Sequence, residues 1–141
     1  MKALTVRQPW AWAIAHGGKN VENRTWYTAY RGPFAIHAAL KDDVDGHRDH
    51  RILRAMGEAI EDADEDRFDY IYGALIAAVE LVDVHSDLAR SCDCGPWADP
   101  YAWHWVLADA WPLPEPIPAT GRQGLWVPAP DLLAQIQAAT P

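Results

Sequence analysis

Three charged side chains that could form a binding or catalytic site lie close together in the sequence: Lys19, Glu22 and Arg24. A lysine with a lowered pKa can act as a nucleophile or base, a carboxylate can move a proton, and a guanidinium holds anions. Gly17 and Gly18 precede them and let the backbone come close to a ligand. The stretch is therefore either the wall of a site or a strand with an ordinary ion pair, which would be weak on a surface.

Strand alternation extends this group. It places Glu22, Arg24 and Trp26 on one face, where the indole ring could stack on a base. The stretch RQPW, at the end of the first predicted strand, could lie at the same end of the sheet. It adds three candidate ligand-binding residues: Arg7, Gln8 and Trp10.

Several other residues could have either a functional or a purely structural role. Tyr30 and Arg31 precede a glycine in a turn, and they either contact phosphate or ribose or are simply exposed. Glu80 lies on a strand among apolar residues, where a carboxylate suits a general acid or pairs with an arginine inside the barrel. His37 alternates with apolar neighbours, which favours a hydrogen-bonded core residue over a catalyst. Trp97, in a glycine-proline loop, could act as a lid.

The two cysteines, Cys92 and Cys94, form a C-x-C pair that cannot complete a zinc site alone. His85 and His104 lie on either side, so a Cys/Cys/His/His site is conceivable, but the spacing matches no standard zinc pattern. We therefore expect two reduced thiols in a surface loop, and neither a metal nor a cofactor. No P-loop, Rossmann glycine pattern or H-E-x-x-H stretch supports nucleotide hydrolysis, dinucleotide binding or zinc proteolysis.

The formal net charge of −8 argues against broad electrostatic binding of nucleic acid. The charge is uneven, because residues 1–54 hold nine of the twelve lysines and arginines. The acidic run 58–69 is typical of a solvated face, although partner proteins could recognise it. A local pocket for an anionic ligand remains compatible with this distribution.

The length of 141 residues predicts one domain spanning 1–141. No apolar run could span a membrane, and the start of the chain lacks a signal peptide, so we expect a cytoplasmic protein that begins at Met1. Oligomeric state and protein partners cannot be predicted from these features.

Periodicity predicts more strand than helix. The strands fall in ALTVRQ, VENRTW, FAIHAA, GALIAAVELVDV, YAWHWVLADAWPL and LWVP, and the helices in WAWAIAH, residues 43–64 and APDLLAQIQAA. Gly17 and Gly18 would cap the first helix in a left-handed conformation, and PLPEPIPATGRQG would be an irregular connection. This pattern indicates an α+β fold, a small mixed β-barrel with flanking helices.

The sequence resembles the ASCH family of the PUA-like superfamily. The family signature G-x-K-x-x-E-x-R is matched in full by Gly17, Lys19, Glu22 and Arg24, with RQPW before it and RGPFAIH after it. GALIAAVELVDV and WHWVLADAWPLPEPIPATGRQGLWVP are similar to the family's central and closing strands. The chain is most similar to the larger group that begins with RQPW or RQPY.

The resemblance implies a PUA-like barrel whose cleft, built around the signature turn, binds RNA or a modified nucleoside. It also implies an alternative, because some members are amidohydrolases that remove the acetyl group from N(4)-acetylcytidine. Those hydrolases have a threonine where this chain has Glu22, while Lys19 matches their lysine. A hydrolase of this kind would use Lys19, Glu22 and Glu80 as catalytic residues. Ribonuclease activity and a role as a protein-interaction module are further alternatives.

Overall fold

A curled sheet of six strands organises the molecule in the computed structural model, which describes residues 1–62, 69–87 and 94–141. The strands are β1 (Lys2–Gln8), β2 (Val21–Arg24), β3 (Gly32–Asp42), β4 (Ala74–Ser86), β5 (Trp103–Pro118) and β6 (Leu125–Trp126). The helices are α1 (Trp10–His16), α2 (His50–Asp62) and α3 (Pro130–Ala139). The predicted α+β class, with a barrel-like sheet and flanking helices, is confirmed.

The sheet order is β2-β5-β4-β3-β1-β6, which puts the predicted long apolar strand β4 in the middle. β4 pairs antiparallel with β3 and β5, while β1 runs parallel to β3. The first half of β4 is buried because its two faces meet different clusters of the core: Leu75 lies in one, and Ala77 and Val79 lie in the other. A strand covered in this way needs an apolar run rather than alternation.

Helix α1 begins directly after Pro9, and its Ala11, Ile14 and Ala15 pack with strand residues in the main core cluster. Gly17 has a φ of −99°, so only Gly18, at +75°, takes the left-handed conformation that was predicted for both glycines. The Lys19 amide then donates to the Ala13 carbonyl over 3.0 Å. This turn reverses the chain and presents the Lys19 side chain at the start of β2.

Two predicted boundaries are wrong. The helix predicted over 43–64 is a short 3₁₀ turn, Asp45–Arg48, followed by α2, because Asp49 is extended between them. Ile52 is buried as predicted, but Leu53 is 56% exposed.

The proline-rich segment that was predicted to be an irregular connection is the second half of β5. This strand reaches Pro118 with breaks in its register against β4. Proline is tolerated there because β2 pairs only with the first four residues of β5 and leaves the rest as an edge.

Two sequence features lie outside the described residues, namely residues 63–68 of the acidic run 58–69 and Cys92. Across the described part of the chain, no helix combines the length and apolarity needed to cross a bilayer.

Candidate functional site

A cleft of about 650 Å³ opens beside β2 and the last residues of β1. Its volume falls within the range of small-molecule sites in proteins. We call it the inner cleft. Its lining includes all three charged residues of the signature and brings them together with side chains from distant parts of the chain: Thr5, Val6, Arg7, Trp10, Lys19, Glu22, Asn23, Arg24, Ala39, Asp43, Asp99, Arg122, Gln123 and Gly124.

Lys19 is 4% exposed, which is unusual for a lysine. Its ammonium group donates to the Val21 carbonyl and lies 3.9 Å from Glu22 Oε1. Burial lowers the Lys19 pKa, and Glu22 acts in the opposite direction by favouring the charged form. Arg51 and Arg24 also lower the Lys19 pKa, but less than burial does.

Glu22 connects the two cations of the signature. Its Oε1 accepts from the Asn23 amide over 3.0 Å, and its Oε2 lies 3.5 Å from an Arg24 nitrogen. Arg24 also donates to the Thr5 carbonyl over 3.1 Å, which ties β2 to β1 across the cleft. The Arg24 Nε is buried and has no hydrogen-bond partner among the described residues. Part of the guanidinium's donor capacity is therefore unused by the protein.

Two tryptophans form the aromatic wall behind Lys19. The Lys19 ammonium lies 5.3 Å from the centre of the Trp10 ring and 5.7 Å from that of Trp97, within cation–π range. Arg51 approaches the same two rings at 5.5 and 5.7 Å. Trp10 lines the cleft and donates from its indole nitrogen to Asp43 over 2.8 Å. Trp97 is buried, so it supports the wall rather than acting as the predicted lid.

The loop that carries Trp97 and Asp99 is fastened to β2 by one side chain. Asn23 donates from its amide nitrogen to the Trp97 carbonyl and accepts from the Asp99 amide, both over 2.9 Å. Arg51 adds a second link, donating to the Asp99 carboxylate over 3.0 Å. These contacts hold a carboxylate at the rim of the inner cleft.

A second cavity of about 790 Å³ continues outward from the inner cleft. The two share five lining residues, namely Thr5, Arg7, Ala39, Arg122 and Gln123. We call this cavity the outer depression. It extends past Lys41 to the buried His37, whose Nε2 donates to the Ala119 carbonyl over 2.7 Å. His37 is therefore the hydrogen-bonded core residue that the sequence predicted, although it also forms part of a cavity floor.

Several predicted site residues lie elsewhere for identifiable reasons. Gln8 is buried and hydrogen bonds to the Trp12 amide and the Ile71 carbonyl. Gly17 leaves no room for a side chain, since a Cβ there would come within 3.0 Å of the Ala13 backbone. Trp26 packs edge-on against Trp105 with ring centres 4.8 Å apart, because β2 ends at Arg24 and strict alternation stops there.

The turn residues and Glu80 are also outside the lining of the inner cleft. The Tyr30 hydroxyl donates to the Pro33 carbonyl, and Arg31 donates to the Thr28 and Tyr30 carbonyls. Glu80 contributes to a different cavity, together with residues of β5 and the C-terminus of the chain. The geometry thus separates Glu80 from Lys19 and Glu22, with which it was expected to act.

Sequence reasoning missed six of the polar residues in the cleft, namely Thr5 on β1, Asn23 on β2 and four others. Asp43, Asp99, Arg122 and Gln123 come from connections whose position depends on the folded sheet. One signal was available for the last pair, because TGRQG places an arginine and a glutamine between glycines just before the closing strand. Glycines on both sides allow such a turn to approach a ligand closely.

Comparison with known proteins gives a consistent assignment. A family model described as ASCH domain matches residues 4–113. Activating signal cointegrator 1 from Homo sapiens is 36% identical over 85 residues, and activating signal cointegrator 1 from Mus musculus is 35% identical over 85 residues. In both cases the match covers 57% of this chain and 14% of the relative. This chain therefore matches only a small part of the length of these relatives.

Proposed function

This chain belongs to the ASCH domain family, which is linked to RNA binding, and from that premise we propose that it binds a short single-stranded RNA segment. One nucleoside would enter the inner cleft, and the adjoining phosphates would lie over the outer depression. A free or modified nucleoside would use the inner cleft alone.

The main observation in support of this proposal is the distribution of charge around the two cavities. The chain has a net charge of −8, yet the two joined cavities are lined by more basic than acidic side chains: Arg7, Lys19, Arg24, Lys41 and Arg122 against Glu22, Asp43 and Asp99. All three acids line the inner cleft; among the described residues, the outer depression has basic but no acidic side chains in its lining. This distribution of charge suits a polar base in the inner cleft and phosphates in the outer depression.

The roles within the inner cleft follow from donor and acceptor types. Arg24 would donate to a base-edge acceptor or a phosphate, while Glu22 orients Arg24 or accepts from a base amino group. Lys19 would supply positive charge close to the ligand. Trp10 would stack on the base, since it lines the cleft whereas the partly buried Trp26 packs against the core.

Binding of labelled single-stranded RNA, followed by fluorescence anisotropy at several salt concentrations, tests the proposal. Arg7→Ala and Arg122→Ala change side chains that line both cavities, and each should lower the salt dependence of log K by about 0.7 if it removes one phosphate contact. Arg54→Ala is the matched control, because Arg54 is exposed and pairs only with Glu58 among the described residues. Equal affinities for wild type and the double variant Arg7→Ala/Arg122→Ala would contradict the proposal.

A second candidate function, an amidohydrolase acting on N(4)-acetylcytidine, is favoured by one observation. Burial lowers the pKa of Lys19, and Glu22 lies within 3.9 Å of its ammonium group. A lysine that deprotonates more easily is a better nucleophile or base. Glu80 has no part in this version, because it lies in another cavity.

Turnover decides between the two functions. The purified chain would be incubated with N(4)-acetylcytidine, and cytidine formation would be followed by chromatography. Activity that Lys19→Arg abolishes, while the variant keeps the wild-type melting temperature, would support the hydrolase. Absence of cytidine at high protein concentration, in a preparation that binds RNA, would leave binding as the function.

A further inference from the structure

A cluster of two histidines and a cysteine lies outside both cavities. His85 of β4 and His104 of β5 face each other in the strand register, and Cys94 reaches them from the loop between the two strands. The ligand atoms of the three residues all lie within 4.8 Å of one another. The Cys94 sulfur is 3.0 Å from His85 Nε2, so the expected surface thiol is instead in contact with a histidine.

An oxygen orients each of the two histidines. His85 Nδ1 lies 2.7 Å from the Asp83 carboxylate, and His104 Nε2 hydrogen bonds to the Asp99 carbonyl. Because these oxygens only accept, the two nitrogens carry the ring protons. The other nitrogen of each ring then carries the lone pair, and in His85 this is Nε2, the nitrogen beside the Cys94 sulfur. Histidines that bind metal are held in this way by carboxylates and carbonyls.

We propose that His85, Cys94 and His104 bind a zinc ion. Two imidazole nitrogens and a thiolate suit zinc, whereas calcium and magnesium require oxygen ligands. Zinc with bonds of about 2.0–2.3 Å keeps its ligand atoms about 3.5 Å apart, so small side-chain rotations bring the present arrangement to a binding geometry. Binding releases the thiol proton to solvent, and three of the four tetrahedral positions are then filled.

The site would act on the wall of the inner cleft. The loop between Cys94 and His104 carries Trp97 and Asp99, and Asn23 already fastens it to β2 on the cleft side. Zinc would fasten the same loop to β4 and β5 on the opposite side. The His104 contact with the Asp99 carbonyl joins the two sides directly. Metal binding would therefore stabilise the position of Asp99 at the cleft rim.

Titration of the reduced, chelator-treated chain with Zn²⁺, and separately with Co²⁺, tests the site. The expected result is one zinc ion per chain by elemental analysis. With Co²⁺ we expect a thiolate-to-cobalt charge-transfer band and the strong visible absorption of a tetrahedral ion. Cys94→Ser should abolish the charge-transfer band. A neutral thiol that only hydrogen bonds to His85 would give no such band in the wild-type chain, and this outcome would overturn the proposal.

Asp83→Asn keeps the assay informative if Cys94→Ser fails to fold. Asp83 is largely exposed and would not bind the metal itself, so this variant should fold but bind zinc about 10–100-fold more weakly. His50→Ala is the matched control, since that histidine is exposed and is not one of the three clustered residues. Equal zinc affinities for the wild-type chain, Asp83→Asn and His50→Ala would count against the site.

Discussion

The inner cleft and the outer depression are joined, yet they hold their charges in different ways. In the inner cleft, Lys19 and Glu22 are buried and are bound to each other, to the backbone and to Arg24. In the outer depression, Lys41 and Arg122 lie on an open surface around the neutral floor formed by His37. Buried charges are costly to leave without a partner, whereas exposed charges interact weakly and are screened by salt.

Because of this difference, folding stability and ligand binding should respond differently to changes in the two regions. A change in the inner cleft should affect folding as well as binding, because the same side chains support the sheet and face the ligand. A change to an exposed cation of the outer depression should affect binding alone. The two regions therefore give distinct patterns of stability and affinity, which the following changes test in order of decreasing effect.

Glu22→Ala should have the largest effect, because it leaves the buried Lys19 without its carboxylate. We expect a loss of about 3 kcal/mol in the free energy of unfolding, measured by urea denaturation, together with loss of RNA binding. Glu58→Ala is the control, since that carboxylate forms an exposed pair with Arg54 and should change stability by less than about 0.5 kcal/mol. Similar stabilities for the two variants would show that Glu22 is not a buried structural partner.

Trp10→Ala should weaken RNA binding by about 1–3 kcal/mol, the usual contribution of one stacked base. Trp10→Phe should recover part of this loss because a flat ring remains. Trp111→Ala removes an exposed tryptophan at another surface and should leave affinity unchanged. If the phenylalanine variant binds no better than the alanine variant, the loss comes from the hydrogen bond to Asp43 rather than from stacking.

Arg122→Ala should reduce affinity by about 1 kcal/mol at low salt, with little change in the free energy of unfolding. The effect should diminish as salt rises, because an exposed charge is screened. A loss of stability similar to that of Glu22→Ala would remove the distinction between the two regions.

The pH dependence of binding should depend on Lys19. Since burial lowers its pKa, Lys19 loses its charge at a lower pH than an exposed lysine, and RNA affinity should fall as pH rises through that value. Lys19→Arg, which stays charged, should bind with little change over the same alkaline range. If wild type and Lys19→Arg show the same pH profile, the charge of Lys19 does not contribute to binding.

His37 should have the smallest effect, and it concerns acid stability. Burial lowers the His37 pKa, so the folded state favours the neutral ring. Its stabilising contribution is complete above the unfolded pKa of about 6.5 and is lost as pH falls through the folded value. His37→Gln should therefore lose less stability than wild type between about pH 7 and pH 5 in urea denaturation. Parallel losses in both proteins would contradict this assignment.

The signature residues and the main strands could be predicted because they depend on local pattern. Alternation of apolar and polar residues predicted β1 and β2, and the long apolar run predicted the central position of β4. The glycines that follow an alanine-rich helix predicted the turn before Lys19. Trp26 was misplaced because alternation holds only while the strand continues, and β2 ends at Arg24. Glu80 was misplaced because the register of β4 shifts near it, which periodicity alone does not reveal.

The sequence by itself determined the family, the mixed fold and the association of Lys19 with Glu22 and Arg24, since these depend on residues within one or two turns of chain. Only the tertiary structure decided which distant side chains complete the cleft. Asp99, Arg122 and Gln123 reach it because long-range strand pairing forms the sheet and brings their connections to the cleft. The same pairing sets His85 opposite His104 and brings Cys94 to them, a juxtaposition that no spacing along the chain encodes.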